Sequence, residues 1–294
     1  VVAAAAGAQG ARPALAERLA ATLPARMAAD GVAGAVVVLI EDGAPVWTRA
    51  FGMADPATGR AMTPDALFRV ESLSKPVAAW GALRLEETGR LGLGAAVAGC
   101  LKRFELPAAL SAVTARQLLS HTAGLGLGDY AARFAPDAPR PTLAEQVALE
   151  IDAIGPPGTG FTYSDTGYAL LELAMEDCAG IGFSDFMARE VLAPLGMARA
   201  GFDWPGTRMP VGHDLHSRPV APYVYPARAS GGLHATAADI ARFAAAGMAG
   251  AAQPVLPAES VAQLHRPVVA VGGMFGIAAE GYGLGHFTET LSDG

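Results

Sequence analysis

Residues 73–87 read as a helix without a polar side. Its apolar positions Val77, Trp80, Leu83 and Leu85, with Gly81 among them, run round the axis rather than along one stripe. A helix of that kind has to be enclosed by other elements. Thr88-Gly89-Arg90 stops it. A chain of 294 residues is long enough to build the enclosing core as one large domain or two, and a composition 52% hydrophobic and 17% charged is that of a globular protein.

The stretch that leads into this helix is Phe68-Arg69-Val70-Glu71-Ser72-Leu73-Ser74-Lys75-Pro76, and it contains S-x-x-K at Ser72 and Lys75. Positions i and i+3 share a helix face, so a hydroxyl and an amine stand one turn apart. A serine hydroxyl is a weak nucleophile until a neighbouring base takes its proton. A lysine serves as that base only when its amine is neutral part of the time, which burial and the positive end of a helix favour. The helix start also aims free backbone N–H groups at an oxyanion on Ser72. Pro76 fits a first turn, where a missing N–H costs nothing. The competing reading is a serine that merely caps a helix.

The rest of the chain reads as strand hairpin, then helices, then a strand, which is α+β rather than alternating βαβ. Residues 12–30 have helical spacing at Leu15, Leu19, Leu23 and Met27, with Pro24 against the second half. Residues 35–40 and 45–52 form a hairpin about Glu41-Asp42-Gly43. Further helices fall at 113–125, where a short one runs into a glycine turn, at 143–151, from about 168 to 179, at 183–191 and at 237–246. Residues 201–228 are proline-rich and irregular. Residues 282–290 read as a strand and Ser292-Asp293-Gly294 as the turn after it.

The net charge of −7, with no basic run, argues against nucleic acid. Cys100 and Cys178 have neither C-x-x-C nor histidine spacing, so they read as two buried thiols. Residues 1–11 are apolar and small, with Ala6-Gly7-Ala8 as an A-x-A site. They read as the remnant of a secretory signal, hence a periplasmic or secreted protein; a flexible alanine-rich lead is the alternative. No later apolar run is long enough to span a bilayer.

Taken together, F-R-V-E-S-L-S-K at 68–75, L-L-S-H-T-A-G-L at 118–125, Y-S-D-T-G-Y at 163–168, L-A-P-L-G-M at 192–197, S-G-G-L-H-A-T-A-A-D-I-A-R-F at 230–243 and Y-G-L-G at 282–285 resemble the serine β-lactamase and penicillin-binding protein superfamily. The resemblance is to its class C-like branch, which also holds D-alanyl-D-alanine carboxypeptidases, D-amino-acid amidases and esterases. It implies an α+β, β-lactamase/transpeptidase-like fold over residues 12–294. Both chain ends would form an antiparallel sheet flanked by helices, with a helical region at roughly 76–225 inserted between the sheet-forming segments. It implies Ser72 as the acylated nucleophile, Lys75 as its base partner and Tyr163 as a second acid/base, with Ser72 and Asp165 against the substrate. A phenol is a poor base at neutral pH, and a neighbouring ammonium such as Lys75 would favour its phenolate. No metal or cofactor is implied, and the partner is a small-molecule or peptide substrate. His121 reads as structural, because no serine–histidine–aspartate set is legible. Gly231 and Gly232 read as a tight turn rather than a phosphate loop.

Two departures qualify the resemblance. Asp165 stands where the family usually has the asparagine of Y-x-N, which donates to an amide carbonyl. An ionised aspartate only accepts. It would repel a substrate carboxylate, or pair with Lys75 and keep that amine charged; either favours esters over β-lactams. The second departure is that no K-T-G or H-x-G is present, so the chain is expected to be a piece of a longer protein lacking its C-terminal strands, inactive as it stands; a natural short form is the alternative. The expected function is therefore a serine hydrolase acting on an ester, a D-amino-acid peptide or amide, or a β-lactam. The alternative is a non-hydrolytic penicillin-binding sensor or a degenerate structural relative.

Overall fold

A computed structural model describes residues 11–128, 133–206, 209–274 and 277–290. Residues 1–10 of the expected signal remnant and the expected turn at 291–294 lie outside the described residues. Helix α1 (Ala11–Ala29) runs through Pro24 and buries Met27 on the face marked by its leucine spacing. It leads into a hairpin of β1 (Gly34–Glu41) and β2 (Ala44–Asp55), registered from Gly34↔Gly52 to Glu41↔Ala44, with β3 (Arg60–Ala61) on the far edge of β2.

Strand β4 (Leu67–Arg69) pairs with β7 (His234–Thr236), so the chain between them leaves and returns at one point. That intervening chain carries α2 (Ser74–Glu87), α3 (Ala115–Leu119), α4 (Leu143–Glu150), α5 (Asp165–Ala179), α6 (Phe183–Met187) with a π-helical continuation Ala188–Leu192, and the small hairpin β5 (Gly212–His213) and β6 (Pro219–Val220). As its sequence requires, α2 is enclosed: Val77, Trp80, Gly81 and Leu83 are buried, and α5 and α6 pack against it. Gly81 allows that approach, since a Cβ there would come within 2.9 Å of the Met175 methyl. After β7 come α7 (Ala237–Ala246), which lies on β1 and β2, and α8 (Ala258–His265). Helix α8 buries a turn-spaced pair, Val261 and Leu264.

Three expectations are corrected. The strand expected over 282–290 is broken into β9 (Gly281–Tyr282) and β10 (Phe287–Thr288), which pair with each other while β8 (Val269–Ala270) pairs with β9. The reversal falls at 283–286, where Gly283 N–H donates to the His286 carbonyl at 2.8 Å and Gly285 has φ +80°. A Cβ on Gly285 would stand 3.2 Å from the Lys75 carbonyl, so Y-G-L-G is a turn laid against the start of α2. The single sheet expected from both chain ends is also absent among the described residues: β1–β3 and β8–β10 are separate sheets. The turn between β9 and β10 is anchored to the helical region, Leu284 N–H on the Leu264 carbonyl and Gly285 N–H on the Leu119 carbonyl. Finally, Cys100 and Cys178 are a disulfide, not thiols, with Cα atoms 5.3 Å apart. A spacing of 78 residues hides what packing reveals, because the segment after α2 docks on the end of α5. There Lys102 N–H and the Arg103 guanidinium both donate to Asp177 at 2.6 Å.

Candidate active site

Ser72 lies in a 3-10 turn, Glu71–Leu73, two residues ahead of Ser74, the first residue of α2. The i,i+3 relation survives, and Lys75 Nζ donates to Ser72 Oγ at 3.1 Å. The turn is held from both sides. Ser74 Oγ donates to the Glu71 carbonyl at 2.6 Å and accepts Leu233 N–H at 2.9 Å. Val70 N–H donates to the Leu233 carbonyl at 3.0 Å. The β4–β7 pairing thus brings Ser230-Gly231-Gly232-Leu233 alongside the Ser72 stretch.

Glu71 sits at φ +47°, a left-handed conformation that costs a non-glycine residue about 1 kcal/mol or more. Its carboxylate accepts the Tyr223 hydroxyl at 2.6 Å and the Tyr225 hydroxyl at 3.0 Å, and Arg69 lies 3.6 Å away. The Arg69 and Arg133 guanidiniums lie 4.3 and 4.6 Å from the Tyr223 ring centre, and Arg69 also donates to the Tyr223 carbonyl. This wall escapes sequence reading because Tyr223 and Tyr225 come from the proline-rich stretch.

Lys75 is 1% exposed, and its three donor positions are filled. Besides Ser72 they meet the Ser230 carbonyl at 2.8 Å and Asp165 Oδ1 at 2.6 Å. Of the two alternatives for Asp165, the structure has the pairing with Lys75. Asp165 opens α5, behind an N-cap in which Ser164 Oγ accepts Gly167 N–H at 2.9 Å, a place where a carboxylate is favoured. The Lys75 ammonium also lies over two aromatic faces, 4.8 Å from the Tyr163 ring centre and 5.5 Å from that of Tyr168. Ser72, Lys75, Tyr163 and Asp165 are thus brought together.

His121 lies behind this group. It stacks on Tyr163 at 4.3 Å and Tyr282 at 5.0 Å, and its Nδ1 accepts Ser164 N–H at 3.1 Å. Burial, with the Lys75 charge adding, holds the imidazole well below its ordinary range, hence neutral. Gly231 and Gly232 do form a tight turn, but by close approach rather than positive φ. A Cβ on Gly232 would stand 2.8 Å from Arg228 Cα, and one on Gly231 3.1 Å from the Tyr225 ring.

Ser72 faces an open cleft lined by Glu71, Gln146, Glu150, Asp165, Tyr225 and Ser230 among others. Its polar rim is rich in carboxylates, with the Lys75 cation buried beneath. Among the described residues no helix is long and apolar enough to cross a membrane.

The sequence profile of the Beta-lactamase family matches residues 19–294. A penicillin-binding protein of Bacillus subtilis is 33% identical over 168 residues, 55% of this chain and 36% of that protein. Esterase EstB of Burkholderia gladioli is 39% identical over 115 residues, 38% of this chain and 29% of the esterase. The chain therefore matches about a third of the length of each of these relatives. The octameric penicillin-binding protein homologue of Pyrococcus abyssi has a similar fold, with a TM-score of 0.79 at 26% identity over 92% of this chain and 64% of that one.

Proposed function

The chain belongs to the beta-lactamase family, and on that premise we propose that the full-length protein hydrolyses an ester or amide through an acyl group carried on Ser72. The observation that carries the reading is the 3.1 Å contact between Lys75 Nζ and Ser72 Oγ, made by a lysine that is 1% exposed. Lys75 acts as the base only after it has given up a proton to the water of the cleft, and the Asp165 carboxylate, 2.6 Å away, favours the charged form instead. Ser72 Oγ then attacks the substrate carbonyl carbon while its proton passes to Lys75. When the tetrahedral adduct collapses, the bond to the leaving group breaks and the leaving atom takes a proton from Lys75 or from Tyr163, the second acid/base. Water repeats the sequence on the acyl group and frees Ser72.

Esters are the favoured substrates. Glu71, Glu150 and Asp165 around the cleft oppose the carboxylate of a penicillin or a peptide terminus. The Cys100–Cys178 disulfide supports export to an oxidising compartment. The test is to treat the full-length protein with a fluorophosphonate and map the adduct by mass spectrometry. Ser72 should carry it, and Ser72→Ala should lower p-nitrophenyl ester turnover at least ~10³-fold. A label elsewhere with Ser72 free rejects the proposal. A second reading, an acyl-binding sensor, is favoured by the Asp165–Lys75 pair, which occupies the base needed to release the acyl group. Stoichiometric acylation without turnover would select it.

A further inference from the structure

Helix α5 touches the Lys75 environment twice. Asp165 at its start pairs with the ammonium directly. Two turns later Glu172, fully buried at 0% exposure, faces the 228–230 turn. One carboxylate oxygen, Oε2, accepts Arg228 N–H at 2.5 Å and Ala229 N–H at 2.6 Å. The next residue, Ser230, supplies the carbonyl that takes Lys75 Nζ at 2.8 Å. Oε1 is buried with no hydrogen-bond partner among the described residues, an arrangement that costs free energy. The glutamate interrupts an apolar run, Leu170-Leu171-Glu172-Leu173-Ala174-Met175, and that interruption is the sequence signal it leaves.

We infer that Glu172 is a positioning residue for Lys75, holding the Arg228–Ala229 turn so that the Ser230 carbonyl stays on the lysine ammonium. This rests on the Ser72 hydrolase reading. The carboxyl does not line the cleft, so it acts through the turn and leaves substrate binding alone. Burial pushes its pKa up to about 8, against the Arg228 and Ala229 amides and the Arg228 charge, which lower it, with Glu176 on the next turn of α5 raising it. Below that pH the group is neutral and its two N–H bonds are ordinary. Above it they are charge-assisted and stronger, and the turn is held more firmly.

The test compares wild type with Glu172→Gln in the full-length protein, which keeps an acceptor oxygen and removes the ionisation. In wild type, kcat for a p-nitrophenyl ester should rise through pH 8, and the Arg228 and Ala229 amide signals should shift with the same midpoint. In Glu172→Gln both changes should be missing, and kcat at pH 9 should be about 10-fold lower with KM unchanged. That is smaller than the ~10²-fold loss a 1 Å misplacement can cause. A purely structural carboxyl would alter stability without moving the kcat profile. If folded Glu172→Gln tracks wild-type kcat at pH 6 and pH 9, the inference is overturned. If the variant does not fold, the wild-type amides decide, and an unmoved pair overturns it equally. Ser72→Ala separates the two readings. Retained turnover there removes the hydrolase proposal and this one with it, whereas a dead Ser72→Ala beside an unaltered Glu172→Gln profile removes this one alone.

Discussion

Asp165 Oδ1 lies 2.6 Å from Lys75 Nζ, closer than the 3.1 Å that separates the same nitrogen from Ser72 Oγ. The carboxylate therefore competes with the nucleophile for the amine that has to activate it.

Replacing Asp165 by asparagine keeps an oxygen for Lys75 and removes the charge that favours the ammonium. It also adds an N–H donor at the cleft. Amide or β-lactam turnover should rise, with ~3 kcal/mol as the ceiling for one such donor, and ester turnover should change less. Steady-state rates on both substrate classes check this. An intact fold with no gain on amides would reject the account of Asp165 as the ester-biasing residue.

The two partners of this ion pair should not cost the same to remove. Lys75 is 1% exposed and Asp165 24%. Asp165→Ala leaves a buried ammonium short of a partner, whereas Lys75→Met leaves a carboxylate that water reaches. Losing one member of a buried pair costs 3–5 kcal/mol, and the part-exposure of Asp165 brings the expected loss for Asp165→Ala to about 2 kcal/mol. Lys75→Met should lose less, because its methylenes still pack on Tyr163 and Tyr168. Urea unfolding at one pH ranks them; the reverse order contradicts this electrostatic picture.

The part of the site that was legible is the part written in short spacing. Ser72 and Lys75 are three residues apart, and local geometry alone brings them together. The enclosure of α2 was legible for the same reason, since apolar residues all round a helix leave no other choice. Contacts made by chain folding were legible only where the family resemblance supplied them, as for Lys75 with Tyr163 and Asp165. Glu71 meets Tyr223 and Tyr225 across 152 and 154 residues, and Cys100 meets Cys178 across 78. No periodicity marks such pairs. Residues 282–290 misled for a third reason: Tyr282, Phe287 and Thr288 have strand propensity, but the chain turns where Gly283 and Gly285 allow it.

The Cys100–Cys178 bond should be a stability element separate from catalysis. It joins the segment after α2 to the end of α5 and spans a sequence separation of 78, for which the chain-entropy relation gives ~4.5 kcal/mol. Asp177, already bonded to Lys102 and Arg103 at the same seam, limits the native-state rearrangement on reduction. Cys100→Ser with Cys178→Ser should lower the urea midpoint and leave kcat for an ester within about twofold of wild type. A large kcat loss in a folded double variant would mean that this seam reaches the Ser72 site.

The pH dependence of stability is set by buried groups of opposite sign. Burial lowers His234 from 6.5 to about 4, with the Arg69 charge adding, and lowers His286 from 6.5 to about 4 as well. Between those values the unfolded chain binds protons at both histidines that the folded chain refuses, so stability is lost as pH falls from 6.5 toward 4. His121 and His265 are lowered too, also by burial, and act in the same direction. Glu172 acts oppositely: raised from 4.5 to about 8, it binds its proton more tightly when folded, so its contribution is full below 4.5 and lost as pH rises toward 8. From 4.5 to 6.5 the lowered histidines outnumber the raised glutamate and stability climbs; from 6.5 to 8, of the shifted groups named here, Glu172 is the one still titrating and its contribution falls. The maximum should therefore stand near pH 6.5, above the acid range where the exposed carboxylates titrate. Urea midpoints at pH 5, 6.5 and 8.5 test this, and Glu172→Gln should abolish the decline on the alkaline side and steepen the climb on the acid side, where the glutamate opposes the histidines. A wild-type stability that keeps rising from pH 6.5 to 8.5 would show that Glu172 is ionised throughout, held by the two amides at 2.5 and 2.6 Å more strongly than burial opposes it.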